Sequence, residues 1–231
     1  DRSMLSSDQR LFESVPTDKK REITLKKVDI INNRKYDIIN EDGCAIFATK
    51  ELDHIQWFEL CNVDRTQSIA RIVKEIGYHS WIVYTYKRPM FENQIECEDG
   101  YMREEIDNPK TPSLFRAYRI KWNLTRNAAT LHPFVRDDTF REARGIPGES
   151  ILRICKIGKK WLPFSKENYA TYEPNNAETI SHWHWDNTLK SHAMKSTVSK
   201  GHNLTLHIIL AVLVNVVKET EKFPYLGILV G

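Results

Sequence analysis

The sequence lacks the short motifs that mark several common classes of enzyme and metal protein. It has no phosphate-binding loop, no dinucleotide-binding glycine fingerprint and no GxSxG motif, so nucleotide-dependent and hydrolase chemistry of those kinds has no support. None of its four cysteines forms a CxxC pair, which argues against a zinc ribbon and a thioredoxin-like site. We expect reduced, packed thiols. The cysteines are Cys44, Cys61, Cys97 and Cys155.

The chain also lacks a strong excess of either charge. Lys and Arg number 34 against 31 Asp and Glu, and the net charge of +3 does not by itself indicate a nucleic acid or membrane partner. Apolar residues make up 41% and charged residues 28%, a balance typical of an ordinary soluble globular protein. We expect an intracellular protein, either cytoplasmic or peripheral on a membrane, and any basic site must be a local cluster.

The 231 residues suit one large domain. Residues 1–21 are polar and are expected to form a flexible lead-in, and residues 22–231 are expected to form a single domain. Two polar stretches, 87–113 and 174–203, exceed the usual length of a connection. The sequence therefore predicts a long loop in each, as a functional loop or a flexible flap.

Short runs with strand character dominate the chain up to residue 203. Glu41–Gly43 lies between two apolar runs, and an Asp-Gly pair in that position is a strong hairpin signal. Further on, Tyr118, Ile120, Trp122 and Leu124 alternate with polar residues, which predicts one buried face of a strand. The pattern therefore indicates a mainly β protein with many antiparallel strands.

The stretch Leu204–Val217 is the longest apolar run, with fourteen positions. A bilayer span needs about 20 apolar residues, and this run ends in the charged sequence KETEK, so no transmembrane span is predicted. A single strand is usually about five or six residues long, so a buried strand is the weaker alternative. A helix that is apolar on all sides must be buried on all sides. We therefore predict a helix that is buried on all sides inside the protein.

Two parts of the sequence resemble the tubby-like fold group, which includes the phospholipid scramblases and the plant LURP-one-related proteins. The first part comprises KYDIINEDGCAIFAT, FELCNVDRTQSIARIVKE and SWIVYTYK. The second comprises ILRICKIGKKWLPFSKENYATYEP and LHIILAVLVNVVKETEKF. The resemblance implies a closed antiparallel β-barrel around a buried hydrophobic C-terminal helix. It further implies a non-enzymatic function, namely binding of phospholipid or phosphoinositide headgroups, or of a protein partner, at a membrane surface.

Lysines near turns and hydroxyl residues are candidate contacts for phosphate groups, because ammonium groups bind phosphate as point charges. They would suit an anionic phospholipid, and they would equally suit a nucleic acid backbone. The alternative is that these lysines are solvated surface charges. The candidates form two groups, Lys156, Lys159 and Lys160 in the first and Lys190, Lys195 and Lys200 in the second.

The segment SHWHWDN contains the candidate metal ligands His182, His184 and Asp186. In an extended chain these three side chains share one face, and Trp183 and Trp185 share the other. Two imidazoles and a carboxylate can bind zinc or another divalent metal. A polar surface segment with packed tryptophans is the alternative, so no cofactor is predicted beyond a candidate divalent metal.

Two further functions follow from the acidic and the long polar segments. The clusters Arg136–Asp138 and Glu96–Asp99 are candidates for holding the metal of a nuclease, although acidic surface loops are far commoner. A structural or assembly protein, held in a larger complex through its long loops, is the second alternative.

Overall fold

A computed structural model of the chain describes eleven stretches, and every structural statement below refers to them. They are residues 18–28, 35–51, 57–75, 79–85, 103–104, 114–125, 127–136, 145–157, 168–176, 178–186 and 193–222. Within these stretches the fold has fourteen strands and one helix. The strands are β1 (Arg21–Lys27), β2 (Tyr36–Asn40), β3 (Ala45–Glu51), β4 (Trp57–Cys61), β5 (Ser68–Lys74), β6 (Ser80–Thr85), β7 (Arg103–Glu104), β8 (Leu114–Trp122), β9 (Ala128–Arg136), β10 (Gly145–Pro147), β11 (Leu152–Ile157), β12 (Asn168–Tyr172), β13 (Thr179–Asp186) and β14 (Ala193–Val198), and the helix is α1 (Leu204–Lys222).

Twelve of these strands close into an antiparallel barrel, as the sequence predicted. The order around the ring is β9, β11, β12, β13, β14, β1, β2, β3, β4, β5, β6 and β8, and pairing of β8 with β9 closes it. The short strands β7 and β10 add to β8 and β9 outside this ring. Closure leaves no strand edge in the ring without a partner.

The antiparallel pairing assigns every connection to one of two barrel ends. The connections after β1, β3, β5, β8, β11 and β13 lie at one end, and those after β2, β4, β6, β9, β12 and β14 lie at the other. The Glu41–Gly43 turn belongs to the second end and confirms the predicted hairpin, with Asn40 N–H donating to the Cys44 carbonyl at 2.9 Å and Gly43 at a φ of 79°. Glycine carries that φ without the steric cost of a Cβ.

The helix α1 starts at the second end and occupies the barrel core. Asn203 caps it, because its Oδ1 accepts a hydrogen bond from the Leu206 N–H at 3.0 Å. Leu204 is half-buried, and every residue from Thr205 to Val217 is buried. This burial confirms the predicted enclosed helix and excludes the strand alternative. No helix in the described stretches is long and apolar enough to cross a membrane.

Two sequence predictions need correction. The expectation of one long loop at 174–203 is wrong, because β13 and β14 occupy most of that segment. Leu124 does not continue the buried face of β8, because the strand ends at Trp122 and Leu124 lies in the following turn. The loop predicted at 87–113 lies outside the described residues except for the short strand β7, and most of the lead-in 1–21 lies outside them too.

Candidate functional site

Seven lysines gather at the first barrel end, which we call the lysine end. The carboxylate Glu75 at this end is already engaged by an arginine, because it accepts from Arg119 Nε at 2.8 Å. The end therefore presents an excess of ammonium groups. The seven are Lys26, Lys27, Lys35, Lys50, Lys74, Lys121 and Lys156.

The opposite end has the opposite character, and we call it the carboxylate end. Its turns carry six exposed carboxylates and the cations Arg65 and Lys200. Lys19, Lys20 and Arg21 lie at the same end, where Lys19 and Arg21 form ion pairs with Glu41. The described part of the barrel is thus electrically polarised along its axis. The carboxylates are Glu41, Asp42, Asp64, Glu149, Glu173 and Glu178.

The turn between β8 and β9 lies at the lysine end and is described at residues 123–125 and 127. Asn123 holds it, because its Oδ1 accepts from the Asn127 N–H at 2.9 Å and from the Ala128 N–H at 3.3 Å. Leu124 follows Asn123 directly, and its side chain is 83% exposed. The turn therefore presents a large apolar side chain beside the lysines.

Two recesses flank this turn and share Lys121, Trp122 and Asn123 as lining residues. One lies between β6 and β8 and measures about 740 Å³. The other, which we call the wall recess, lies on the outer wall across β8, β9 and β11 and measures about 640 Å³. Arg153 and His132 also line the wall recess, so it carries cationic and polar side chains on a largely apolar surface that includes Trp122.

The sequence-predicted lysines do not form one cluster. Lys156 is exposed at the lysine end, whereas Lys200 is exposed at the carboxylate end. Lys195 lies half-buried within β14, opposite His184 and Thr24, and not in a loop as predicted. The other three, Lys159, Lys160 and Lys190, lie outside the described residues.

The two candidate histidine ligands share the outer face of β13, as the alternation predicted. The His182 and His184 rings stack with centroids 5.8 Å apart, and Trp183 between them is buried in the core. Partial burial and the neighbouring His184 lower the pKa of His182, which favours the neutral imidazole that metals bind. Asp186 ends β13, but its side chain lies outside the described part, as does that of Trp185.

Metal ligation therefore stays a prediction. Within the described stretches, no three side chains of His, Cys, Asp or Glu come together as a metal site. The acidic cluster Glu96–Asp99 lies outside these stretches, and Arg136–Asp138 is described only for the backbone of its first residue.

A polar contact crosses the barrel interior between the helix and the wall. His207 Nδ1 lies 3.0 Å from Ser181 Oγ, and that hydroxyl lies 2.6 Å from Thr171 Oγ1. Complete burial, and less strongly His202, lower the pKa of His207 to about 3. The His207 side chain has a structural role, since burial keeps it away from any ligand in the solvent.

Arg153 and the role of Lys121 could not be predicted from the sequence. Lys121 is one of the polar residues that alternate with Tyr118, Ile120 and Trp122, but strand alternation does not show which neighbouring strand supplies a second cation. That information comes from the closure of β8 onto β9 and from the register of β9 with β11.

The fold places this chain among closed β-barrels with a helix in the core. A crystal structure of a protein from Arabidopsis thaliana has this fold, with a TM-score of 0.54 at 11% sequence identity, covering 90% of this chain and 98% of that one. At so low an identity the likeness concerns the fold alone. No protein-family model matches the chain, and no curated protein matches it.

Proposed function

We propose that this protein is a non-enzymatic domain that binds anionic phospholipid headgroups at a membrane surface through its lysine end. The proposal includes membership of the tubby-like group, for which the closed barrel around a helix is the supporting feature. The observation that carries it is the gathering of seven lysines at one barrel end.

The energetics favour a membrane over a small soluble anion for this surface. Each Lys near an anionic leaflet contributes about 1 kcal/mol, and the contributions fall off within a Debye length. Lysines distributed around a barrel rim cannot converge on one small ion, but all of them can approach a planar anionic surface. The carboxylate end would be repelled by the same surface, which orients the barrel with the lysine end towards the lipid.

Vesicle binding with a matched pair of charge-reversal variants tests the proposal. The first variant combines Lys26→Glu, Lys50→Glu and Lys74→Glu, all exposed at the lysine end. The control combines Lys19→Glu, Lys20→Glu and Lys200→Glu, which change net charge equally but are exposed at the opposite end. Flotation is compared between vesicles of phosphatidylcholine and of phosphatidylcholine with phosphatidylserine.

We expect the wild type to float with the anionic vesicles at low salt and to remain unbound with neutral ones. The lysine-end variant should lose at least about a hundredfold in partition, since three lysines of about 1 kcal/mol each are reversed. The control should change little. Equal losses in both variants, or no flotation of the wild type, would refute the proposal.

The other functions predicted from the sequence stay predictions. The acidic clusters of the nuclease hypothesis lie outside the described residues or at their border. The assembly hypothesis depended on two long loops, of which 174–203 is largely two barrel strands.

A further inference from the structure

We propose that the wall recess is a binding site for a phosphate group, carried either by a lipid headgroup or by a soluble phosphomonoester. This site differs from the proposed membrane-docking surface, because it is a recess on the outer wall of the barrel and is lined by residues such as Arg153 that are not among the seven lysines. No carboxylate is among its described lining residues, which include Lys121, Arg153, Thr130 and His132.

The strand register sets the two cations on either side of one hydroxyl residue. Thr130 of β9 pairs with Arg153 of β11 on one side and with Lys121 of β8 on the other. Neighbouring strands lie about 4.8 Å apart, so the Cα atoms of the two cationic residues are roughly 10 Å apart. Both side chains are long enough to converge on one anion between them. The planar guanidinium can hold two phosphate oxygens at once.

Arg153 and Lys121 have no acidic partner among the described residues, which is also true of exposed lysines such as Lys74. Arginines on other strands are neutralised, as Arg119 is by Glu75 and Arg71 is by Glu59, at 2.8 Å in each pair. A recess with two uncompensated positive charges attracts anions. The charge excess therefore belongs to the recess itself and does not depend on the lysines elsewhere on the rim.

One wall of the recess is held rigid by hydrogen bonds. His132 Nδ1 lies 2.9 Å from the Gly148 carbonyl, to which it donates, and its Nε2 lies 2.8 Å from Thr130 Oγ1. The ring and the hydroxyl are thus fixed before a ligand arrives, which reduces the entropy lost on binding. A volume of about 640 Å³ is within the range of small-molecule sites, so the recess accommodates a phosphorylated polyol as well as a bare phosphate.

Calorimetric titration with inorganic phosphate and with glycerol 3-phosphate tests the site in the full chain. Arg153→Gln and Lys121→Gln should each weaken binding at least about tenfold, because each removes a charge-assisted contact. Lys74→Gln is the matched control, since it removes one exposed charge from the lysine end and Lys74 does not line the recess. The affinity of this variant for both phosphate probes should stay within about twofold of the wild type. The inference would be overturned if neither probe and no phosphatidic acid vesicle showed saturable binding, or if Arg153→Gln bound phosphate with full affinity.

The Cys155 thiol supplies a second readout, because it lines the recess. Its alkylation rate, followed by mass spectrometry, should fall when a phosphate occupies the site. Cys44 is the internal control, because it is exposed at the carboxylate end. Protection by glycerol 3-phosphate identifies a soluble ligand, and protection only by phosphatidic acid vesicles identifies a lipid headgroup. Equal alkylation under all conditions contradicts the proposal.

The experiments separate this inference from the proposed membrane docking. Reversal of Lys26, Lys50 and Lys74 should abolish vesicle docking and leave binding of glycerol 3-phosphate intact. Arg153→Gln should lose phosphate binding and keep most of its docking to phosphatidylserine vesicles. Either function can therefore fail while the other stands.

Discussion

His207 is a titratable side chain held entirely inside the barrel, where it contacts Ser181. In solution a histidine has a pKa of about 6.5, and burial lowers the pKa of His207 to about 3. The neutral ring is tolerated because it shares a hydrogen bond with a wall hydroxyl. Asn215 lies deeper in the helix, and its buried amide has no hydrogen-bond partner in the described part of the chain.

The lowered pKa of His207 makes the fold sensitive to acid. Between pH 6.5 and pH 3 the unfolded chain binds a proton at this residue and the folded chain does not. Its contribution to the free energy of unfolding is therefore complete above pH 6.5 and decreases as the pH falls, by up to about 1.4 kcal/mol per pH unit. We expect unfolding in urea to show a loss between pH 7 and pH 4.5 that is on the order of 2 kcal/mol larger for wild type than for His207→Gln.

The His207→Gln variant is the control, since it retains every other ionisable group of the chain. Equal pH dependence of the two proteins would show that His207 does not titrate as its burial implies.

At the scale of the elements, the apolar run alone predicted α1, whereas β13 and β14 were not recognised. A helix that is apolar on all sides can be predicted from the sequence alone. Its length and the charged residues at its end exclude a bilayer span, so the helix must be buried in protein. In β13 and β14 the small polar residues Ser181 and Ser196 face the core. Ser181 contacts His207 of α1 in the core. Because serine is polar, the sequence of β13 gave no sign that this position faces inward.

Enclosure predicts that no face of α1 tolerates truncation. Ile208→Ala, Ile209→Ala and Leu210→Ala change successive residues, whose side chains point about 100° apart around the helix, and all three positions are buried. Each should lower the free energy of unfolding by about 2–5 kcal/mol, the usual cost of a large-to-small change in a core. Leu124→Ala, at an exposed position, is the control and should stay within about 0.5 kcal/mol. A helix packed on one side only would leave at least one of the three buried positions tolerant.

At the scale of the whole molecule, charge and shape act together. The lysine end carries the exposed Leu124, and the carboxylate end carries Val63, which is 46% exposed. If the lysine end faces a membrane, Leu124 enters the interfacial region and adds apolar burial to the electrostatic attraction.

This orientation predicts different effects of the same substitution at the two ends. Leu124→Asp should weaken partition into phosphatidylserine-containing vesicles by at least about tenfold, since it loses apolar burial worth about 1.5–3 kcal/mol and adds repulsion. Val63→Asp makes the matched change at the far end and should stay within about twofold of wild type. Flotation at roughly physiological salt measures both. Similar losses in the two variants would exclude the orientation.

The sequence by itself determined the elements that depend on local pattern. The Glu41–Gly43 hairpin, the alternation of Tyr118, Ile120 and Trp122, and the enclosed helix are all readable from residues near each other in the chain. Side-chain periodicity and segment length are local properties, so a mainly β protein with a buried helix could be predicted without knowledge of strand partners. Closure of the strands into a barrel was implied only by the resemblance to the tubby-like group.

Only the tertiary structure decided where the charges meet. Lys26 and Lys156 are far apart in the sequence, yet both lie at the lysine end, because antiparallel strands return alternate connections to the same end. Lys121 and Arg153 converge on the wall recess because β8 closes on β9 and β9 pairs with β11. Strand order and register are long-range properties, so the candidate site emerges from ring closure and not from any one segment.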